Sequence, residues 1–308
     1  MAFSISRRRL LAAMAAAGLI TRFPPLLAQS GGGDPITKAI PATGESVPVI
    51  GMGTWRTFNV GEDPALLDQR TRVLEAFFRQ GGSVIDSSPM YGTAEAVLGR
   101  LLPRLDAYPQ TFAATKVWTR GQQAGREQMA ESRRLWGVER FDLMQIHNLV
   151  DWQTHLDTLK QMKADGEIRY LGITTSHGRR LGEFEDIMAS EPLDFVQLTY
   201  NIVDRWAEER LLPLARERGI AVIANRPFQG GRLFSRFQSE PLPEWAGEAG
   251  CSNWAEFFLK FIVSHPALTC AIPATTSVEH MNENMGAQFG RLPDPQQRAR
   301  MVRYVEAL

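Results

Sequence analysis

A chain of 308 residues, 22% charged and 44% hydrophobic, has the composition of ordinary globular material and the length to bury one large core or two small ones. Its 34 lysines and arginines are matched by 34 aspartates and glutamates, so the formal net charge is zero. That balance gives no reason to expect a nucleic-acid or anionic-membrane partner, which leaves a small metabolite as the default ligand.

The first thirty residues differ from all that follow. MAFSISRRR is basic, LLAAMAAAGLI is an apolar run, and TRFPPLLAQS is a polar, Pro-containing tail with small residues at Ala28 and Ser30. This is the three-part plan of an export signal over 1–30, and the run is too short for a bilayer span of roughly 20 apolar residues, so no membrane anchor is expected. Ser6-Arg7-Arg8-Arg9-Leu10-Leu11 resembles the twin-arginine pattern, and Arg22 after a weakly hydrophobic, Ala-rich core fits that route. A general secretory signal or an uncleaved amphipathic tail are the alternatives. The twin-arginine reading implies its export machinery as a partner and a periplasmic or otherwise exported destination. Because that route carries folded proteins, often with a cofactor bound, a redox enzyme becomes a leading expectation for residues 31–308.

After a Gly-rich linker, TKAIPATGESVPVI reads as a hairpin turning at Thr43-Gly44. The strand-length runs are then VPVIGMGTW, SVIDSS, TFAATKV, DLMQIHN, YLGITTS, FVQLTYN, IAVIANRP and LTCAIPAT. Helical segments lie between them. In LLDQRTRVLEAFFRQ, Leu66, Leu67, Val73, Leu74, Phe77 and Phe78 fall near helical spacing among Asp68, Arg70, Arg72 and Glu75. Gly81, Gly166 and Gly219 are placed to end helices in the left-handed conformation. Strict strand-helix alternation predicts a closed parallel (β/α)8 TIM barrel, with the hairpin plugging its bottom and PDPQQRARMVRYVEAL forming an extra C-terminal helix. An open doubly wound sheet is the rival, but no G-x-G-x-x-G follows the first strand. Cys251 and Cys270 have no metal-ligand spacing; a disulfide is open to them, although Cys270 sits in an apolar run that reads as core.

In such a barrel the chemistry gathers at the C-terminal strand ends. Those ends carry Asp86, Lys116 and His147, and Tyr91 follows Asp86 on the turn before a helix. This set resembles the active site of the aldo-keto reductase family, and the resemblance implies reduction of a carbonyl, which builds charge on its oxygen and calls for a proton donor and an electrostatic partner. Lys116 would lower the Tyr91 pKa, a fall from about 10 to about 7 being worth roughly 4 kcal/mol. Asp86 would anchor Lys116, and His147 would hydrogen-bond the carbonyl.

This constellation resembles the aldo-keto reductase family over residues 36–292. The matching pieces are Gly51-Met52-Gly53-Thr54-Trp55, IDSSPMYG at 85–92, ATK at 114–116, DLMQIHN at 142–148, Gln197, and IPATTSVEHMNEN at 272–284. The resemblance implies a nicotinamide-dependent oxidoreductase acting on a small aldehyde, ketone or sugar-like alcohol, with Asp86, Tyr91, Lys116 and His147 as the catalytic set and Tyr91 as general acid and base. It implies a cofactor site of Gly53, Thr54, Trp55, Asp86, Thr174, Thr175, Gln197, Asn225, Arg226, Thr275, His280, Glu283 and Asn284. Several of these depart from the family pattern. Thr174 and Thr175 stand where Ser-Asn is common, Asn225 replaces an aromatic that stacks on the nicotinamide, and Ala274 and His280 stand where cations hold the adenosine phosphate. Arg226 would reach the pyrophosphate instead, and loop 229–250 would fold over the cofactor as a clasp. NADP(H) is favoured, with NAD(H) second. Trp55, Met90, Trp118 and His147, with Trp152, would line the substrate pocket. His155 is expected in solvent, no metal is expected, and the family suggests a monomer. A cofactor-retaining binding or redox-sensing barrel with little turnover is the alternative function.

Overall fold

The computed structural model describes residues 33–237 and 239–308; the assigned export signal lies outside them. Two short strands, β1 (Thr37–Ala39) and β2 (Ser46–Pro48), pair antiparallel as the expected hairpin. The barrel then runs β3 (Met52–Gly53), α1 (Pro64–Arg79), β4 (Val84–Asp86), α2 (Ala94–Leu101), β5 (Phe112–Val117), α3 (Gln122–Trp136), β6 (Phe141–Ile146) and α4 (Trp152–Ala164). It continues through β7 (Ile168–Thr174), α5 (Leu181–Ser190), β8 (Phe195–Thr199), α6 (Leu211–Arg218), β9 (Ala221–Asn225), α7 (Arg232–Phe237), α8 (Trp254–Val263), β10 (Cys270–Ala271), α9 (Val278–Gly286) and α10 (Pro295–Ala307). Strands β3 to β10 form one parallel sheet in chain order. A parallel bridge between Ile50 and Ala271 joins its two ends. The run VPVIGMGTW is therefore divided between the hairpin and the first barrel strand.

The period of two along each strand builds the interior in layers. Near the strand starts Val84, Phe112, Leu143, Tyr170, Phe195 and Ala221 cluster with Ile40 and Val47 of the hairpin, which plugs the bottom as expected. Two residues further along β4, β6 and β8, and four further along β5 past Ala114, the same inward rows change character. Asp86, Lys116, Gln145 and Gln197 replace the apolar layer, all buried. The polar layer faces the end of the barrel at which the strands feed their helices.

Gly81, Gly166 and Gly219 all take positive φ, +85°, +76° and +65°, at helix ends. Both cysteines are free and buried, Cys270 among the apolar residues of the barrel floor, and burial raises each thiol to about 12. His155 departs from expectation. It is 0% exposed, its Nε2 2.8 Å from the Thr119 carbonyl oxygen, because Gly125 on the facing helix has no Cβ to fill the space of its ring. The segment assigned as a clasp packs its aromatic residues against the barrel's outer helices. Phe237 stacks on Trp254 at 5.3 Å, Trp245 packs on Phe257 and Tyr304 at 5.9 Å, and the Tyr304 hydroxyl donates to the Pro241 carbonyl, so Phe237, Pro241 and Trp245 are docked on α8 and α10. Among the described residues no helix is long and apolar enough to cross a membrane.

Candidate active site

The centre of the polar layer is an ion pair. Lys116 Nζ on β5 lies 2.6 Å from Asp86 Oδ2 on β4, with exposures of 1% and 2%. The ammonium also donates to the Ser87 carbonyl at 2.7 Å. On the other carboxylate oxygen, Asp86 accepts from Gln145 Nε2 at 3.0 Å and Gln197 Nε2 at 2.8 Å. A buried pair is stable only when its remaining hydrogen-bonding capacity is met in this way. Burial disfavours the ammonium, but Asp86, the neighbouring phenol, the hydrogen bond to Asp86 and the more distant Glu95 outweigh it, so Lys116 is held above its ordinary 10.5.

Tyr91 reaches this cation from the turn between β4 and α2. Lys116 Nζ is 5.3 Å from the centroid of its ring. Here the electrostatics correct the expectation of a phenol poised near neutrality. Burial raises the Tyr91 pKa more than the Lys116 ammonium lowers it, and Asp86 adds to the rise, so the group stays above its usual 10.0. A protonated phenol is the form a reduction needs, since it has a proton to give.

His147 follows β6, its ring edge-on to Tyr91 at 6.1 Å and tilted against Trp118 at 6.4 Å. Burial, and secondarily the Lys116 charge, push it from 6.5 to about 3, so the imidazole is neutral at ordinary pH. Ser88 Oγ lies 3.0 Å from its Nδ1 and accepts from the Met90 amide. With its oxygen accepting from the Met90 amide, the Ser88 hydroxyl has a hydrogen to offer Nδ1, and that arrangement would leave the imidazole hydrogen on Nε2, facing a carbonyl oxygen. Ser88 is thus placed to select the tautomer. Ser88→Ala is expected to lower kcat about tenfold while leaving nucleotide affinity unchanged, as measured by steady-state kinetics and fluorescence titration. An unchanged kcat would remove Ser88 from this role.

The same histidine couples stability to pH. As pH falls through 6.5 the unfolded chain takes up a proton that the folded site refuses until about 3. This contribution to stability is complete above 6.5 and is lost toward 3. His265, lowered to about 4 mainly by burial and then by Arg298, adds to the same slope. Thermal melts from pH 7 down to about 4 should therefore show a falling Tm, partly flattened in His147→Asn. A variant with the parent's slope would exclude His147 as a cause.

The residues assigned to a nicotinamide amide are largely engaged by one another. Thr175 Oγ1 donates to the Arg179 carbonyl, Asn225 Nδ2 donates to the Thr175 carbonyl at 3.1 Å, and Asn225 Oδ1 accepts from Thr199 Oγ1 at 2.8 Å. Gln197 uses its amide nitrogen on Asp86. What remains for an amide ligand is the Thr174 hydroxyl hydrogen, its oxygen already accepting from the Asn148 amide, and Gln197 Oε1, which receives only a long 3.4 Å contact from Asn225. Gly53 pairs with Asp86 in the sheet register, its Cβ position blocked by the Ile272 carbonyl at 3.0 Å. Thr54 donates to the Asp86 carbonyl and to Ser87 Oγ. These two shape the strand end rather than offering free donors.

Arg226, half-buried and left-handed at φ +52°, forms no ion pair among the described residues, and neither does Arg232 or Arg179. Burial and the like charge of Arg232 both lower the Arg226 pKa. On the β10 to α9 turn Thr275 Oγ1 accepts from Ser277, which caps α9; Ala274 and His280 are exposed, Glu283 is half-buried, Asn284 is buried, and no lysine or arginine is present. The chain therefore fits a dinucleotide at two places, an amide acceptor and donor beside Lys116 and unpaired guanidiniums beyond β9, while the adenosine end has no fixed cation. Trp55, Met90 and Trp118 are exposed large apolar residues at the strand ends around Tyr91 and His147. Trp152 is instead tied by its indole N–H to Glu183. Among the described residues no cluster of metal-ligating side chains occurs.

Gln145 and Ser88 touch Asp86 and His147 in the site and were passed over by residue-type reasoning. Gln145 was legible from the inward row Leu143, Gln145, His147.

The Aldo/keto reductase family model matches residues 49–301. The methylglyoxal reductase YeaE of Escherichia coli is 26% identical over 255 residues, covering 80% of this chain and 88% of that protein. The NADH-specific methylglyoxal reductase of the same organism is 28% identical over 232 residues, covering 63% and 68%. Among solved structures, an aldo-keto reductase from Klebsiella pneumoniae in complex with NADPH superposes with a TM-score of 0.74 at 26% identity, covering 88% of this chain and 95% of that one. Barrel, polar layer and sequence kinship agree, and the chain belongs to the aldo/keto reductase family.

Proposed function

We propose that this protein reduces a small aldehyde, ketone or sugar-like carbonyl with Tyr91 as proton donor, working on bound NADP(H), or NAD(H), outside the cytoplasm as a monomer. The observation that carries the reading is the Tyr91 ring 5.3 Å from the buried Lys116 ammonium, with the His147 imidazole edge-on to it at 6.1 Å. A bound nicotinamide supplies the hydride. Thr174 and Gln197 would hold its amide, and Arg226 and Arg232 its phosphates. His147 Nε2 orients the carbonyl oxygen, Tyr91 gives it the proton, and Lys116, kept charged by Asp86, stabilises the phenolate left behind. Trp55, Met90 and Trp118 exclude water and favour a substrate with an apolar part.

Relatives named as methylglyoxal reductases support starting with small dicarbonyls. The test is NADPH and NADH oxidation by the mature chain with methylglyoxal and a panel of simple aldehydes. Nucleotide binding without turnover of any carbonyl would sink the reductase reading and favour a cofactor-retaining sensor. For export, Arg7→Lys with Arg8→Lys is expected to leave the full-length protein in the cytoplasm, read by cell fractionation. Unchanged export of the double variant would refute the twin-arginine route.

A further inference from the structure

Glu95 is a buried carboxylate that the proposed chemistry does not use. It sits in the first turn of α2, one helical turn after Tyr91, with an exposure of 2%. Its partners come from two other elements. Thr115 Oγ1 on β5 donates to Oε1 at 2.5 Å, and on α3 Ser132 Oγ donates to Oε2 at 2.9 Å and Trp136 Nε1 to Oε1 at 3.2 Å. Ser132 and Trp136 are four residues apart and share a helix face. No lysine, arginine or histidine among the described residues forms an ion pair with it, so three neutral donors hold the carboxylate.

A leucine at this point would fill the space at less desolvation cost, so burying a carboxylate here calls for a reason beyond packing. The donor on the strand is the neighbour of Lys116: Thr115 faces the helices while Lys116 faces the barrel. The Glu95–Thr115 bond therefore ties the turn that carries the phenol to the residue beside the ammonium. The Tyr91 carbonyl accepts from the Ala94 amide, which makes the phenol's backbone continuous with the start of α2. Thr93 makes no capping bond, its amide and hydroxyl donating instead to Asn59 Oδ1, and the Glu95 contacts are the side-chain hydrogen bonds that join this helix start to β5 and α3.

We infer that Glu95 is a positioning residue that sets the approach of the Tyr91 phenol to the Lys116 ammonium by pinning the first turn of α2 to Thr115, Ser132 and Trp136. This rests on the assignment of Tyr91 as the proton donor only for its kinetic consequence. The geometric part has a readout of its own, because the ionisation of Tyr91 depends on its distance from Lys116 whether or not the enzyme turns over.

The experiment uses the mature protein and its Glu95→Gln, Glu95→Leu, Thr115→Val and Tyr91→Phe variants. Phenolate absorbance is titrated with pH, and the Tyr91→Phe curve is subtracted to isolate Tyr91. Loss of the tether in Glu95→Leu is expected to move Tyr91 ionisation upward by about one pH unit as the ammonium's influence weakens, with a smaller shift in Thr115→Val. Glu95→Gln keeps an oxygen for Thr115 and Trp136, while Ser132 turns to accept from the new amide, so it should titrate like the parent. Where the parent reduces a carbonyl, kcat should fall about tenfold in Glu95→Leu and recover in Glu95→Gln, with KM for nucleotide unchanged. If Glu95→Leu does not fold, the smaller Thr115→Val change carries the test. A Tyr91 titration unmoved in the folded Leu and Val variants overturns the inference. Variants that shift as expected from a parent that reduces no carbonyl leave the positioning intact and refute the reductase reading instead.

Discussion

Replacing Tyr91 with Phe is expected to lower kcat by about three orders of magnitude, within the range that removal of a positioned proton donor produces. The ring still packs beside His147 and over the Lys116 ammonium, so the pocket and the fold stay the same. Only the hydroxyl is lost. Nucleotide affinity should remain within about twofold of the parent, because the groups available to the cofactor, Thr174, Gln197 and the guanidiniums beyond β9, do not touch the phenol. Steady-state reduction of a carbonyl, paired with a fluorescence titration of NADPH, separates the two quantities. Equal kcat in parent and variant would mean that the proton comes from elsewhere. Water then becomes the donor, and the ion pair beneath Tyr91 loses its chemical purpose.

The pH dependence of the parent follows from the same electrostatics. Burial raises the phenol above 10.0 despite Lys116, so Tyr91 keeps its proton throughout the neutral range. The imidazole, held down to about 3, does not change charge there either. Reduction should therefore run with little dependence on these two groups between neutral pH and moderate acid. The reverse reaction needs the phenolate and should rise with pH.

Barrel topology was legible in the sequence because its signal is repeated. Eight apolar runs alternate with amphipathic segments, and every strand they predict is present in the predicted order. The ionic core of the site was legible for a related reason: Asp86, Lys116 and His147 are polar residues at the ends of apolar strands, where composition makes them stand out. Contacts between residues far apart in the chain were not legible in that way. That Gln197 points its amide nitrogen at Asp86, or that Asn225 joins Thr199, Thr175 and Gln197, depends on the stagger between neighbouring strands, which no single strand encodes. His155 was misplaced because the space it fills is made by a missing side chain, Gly125, on another helix. The Tyr91 pKa was misjudged because the ammonium is visible in the sequence and the desolvation opposing it is not.

The Asp86–Lys116 pair gives the second large effect, one in which stability and activity part company. Lys116→Met removes the cation and leaves Asp86 buried with only the amides of Gln145 and Gln197 as partners, which is expected to cost about 3 to 5 kcal/mol of folding stability. The methionine stem fills much of the lysine's channel, so lost packing is a minor part of this. Adding Asp86→Asn neutralises the stranded charge while its side-chain oxygen still accepts from both glutamines, and the double variant should recover most of the loss in chemical denaturation. Activity should not follow. Neither variant has an ammonium to stabilise the Tyr91 phenolate, so both should remain at least about a hundredfold below the parent in kcat. If the double variant recovers turnover together with stability, the pair serves only to hold the barrel. If Lys116→Met is as stable as the parent, the low-dielectric character of the polar layer is wrong, and the raised phenol and depressed imidazole that depend on it must be wrong with it.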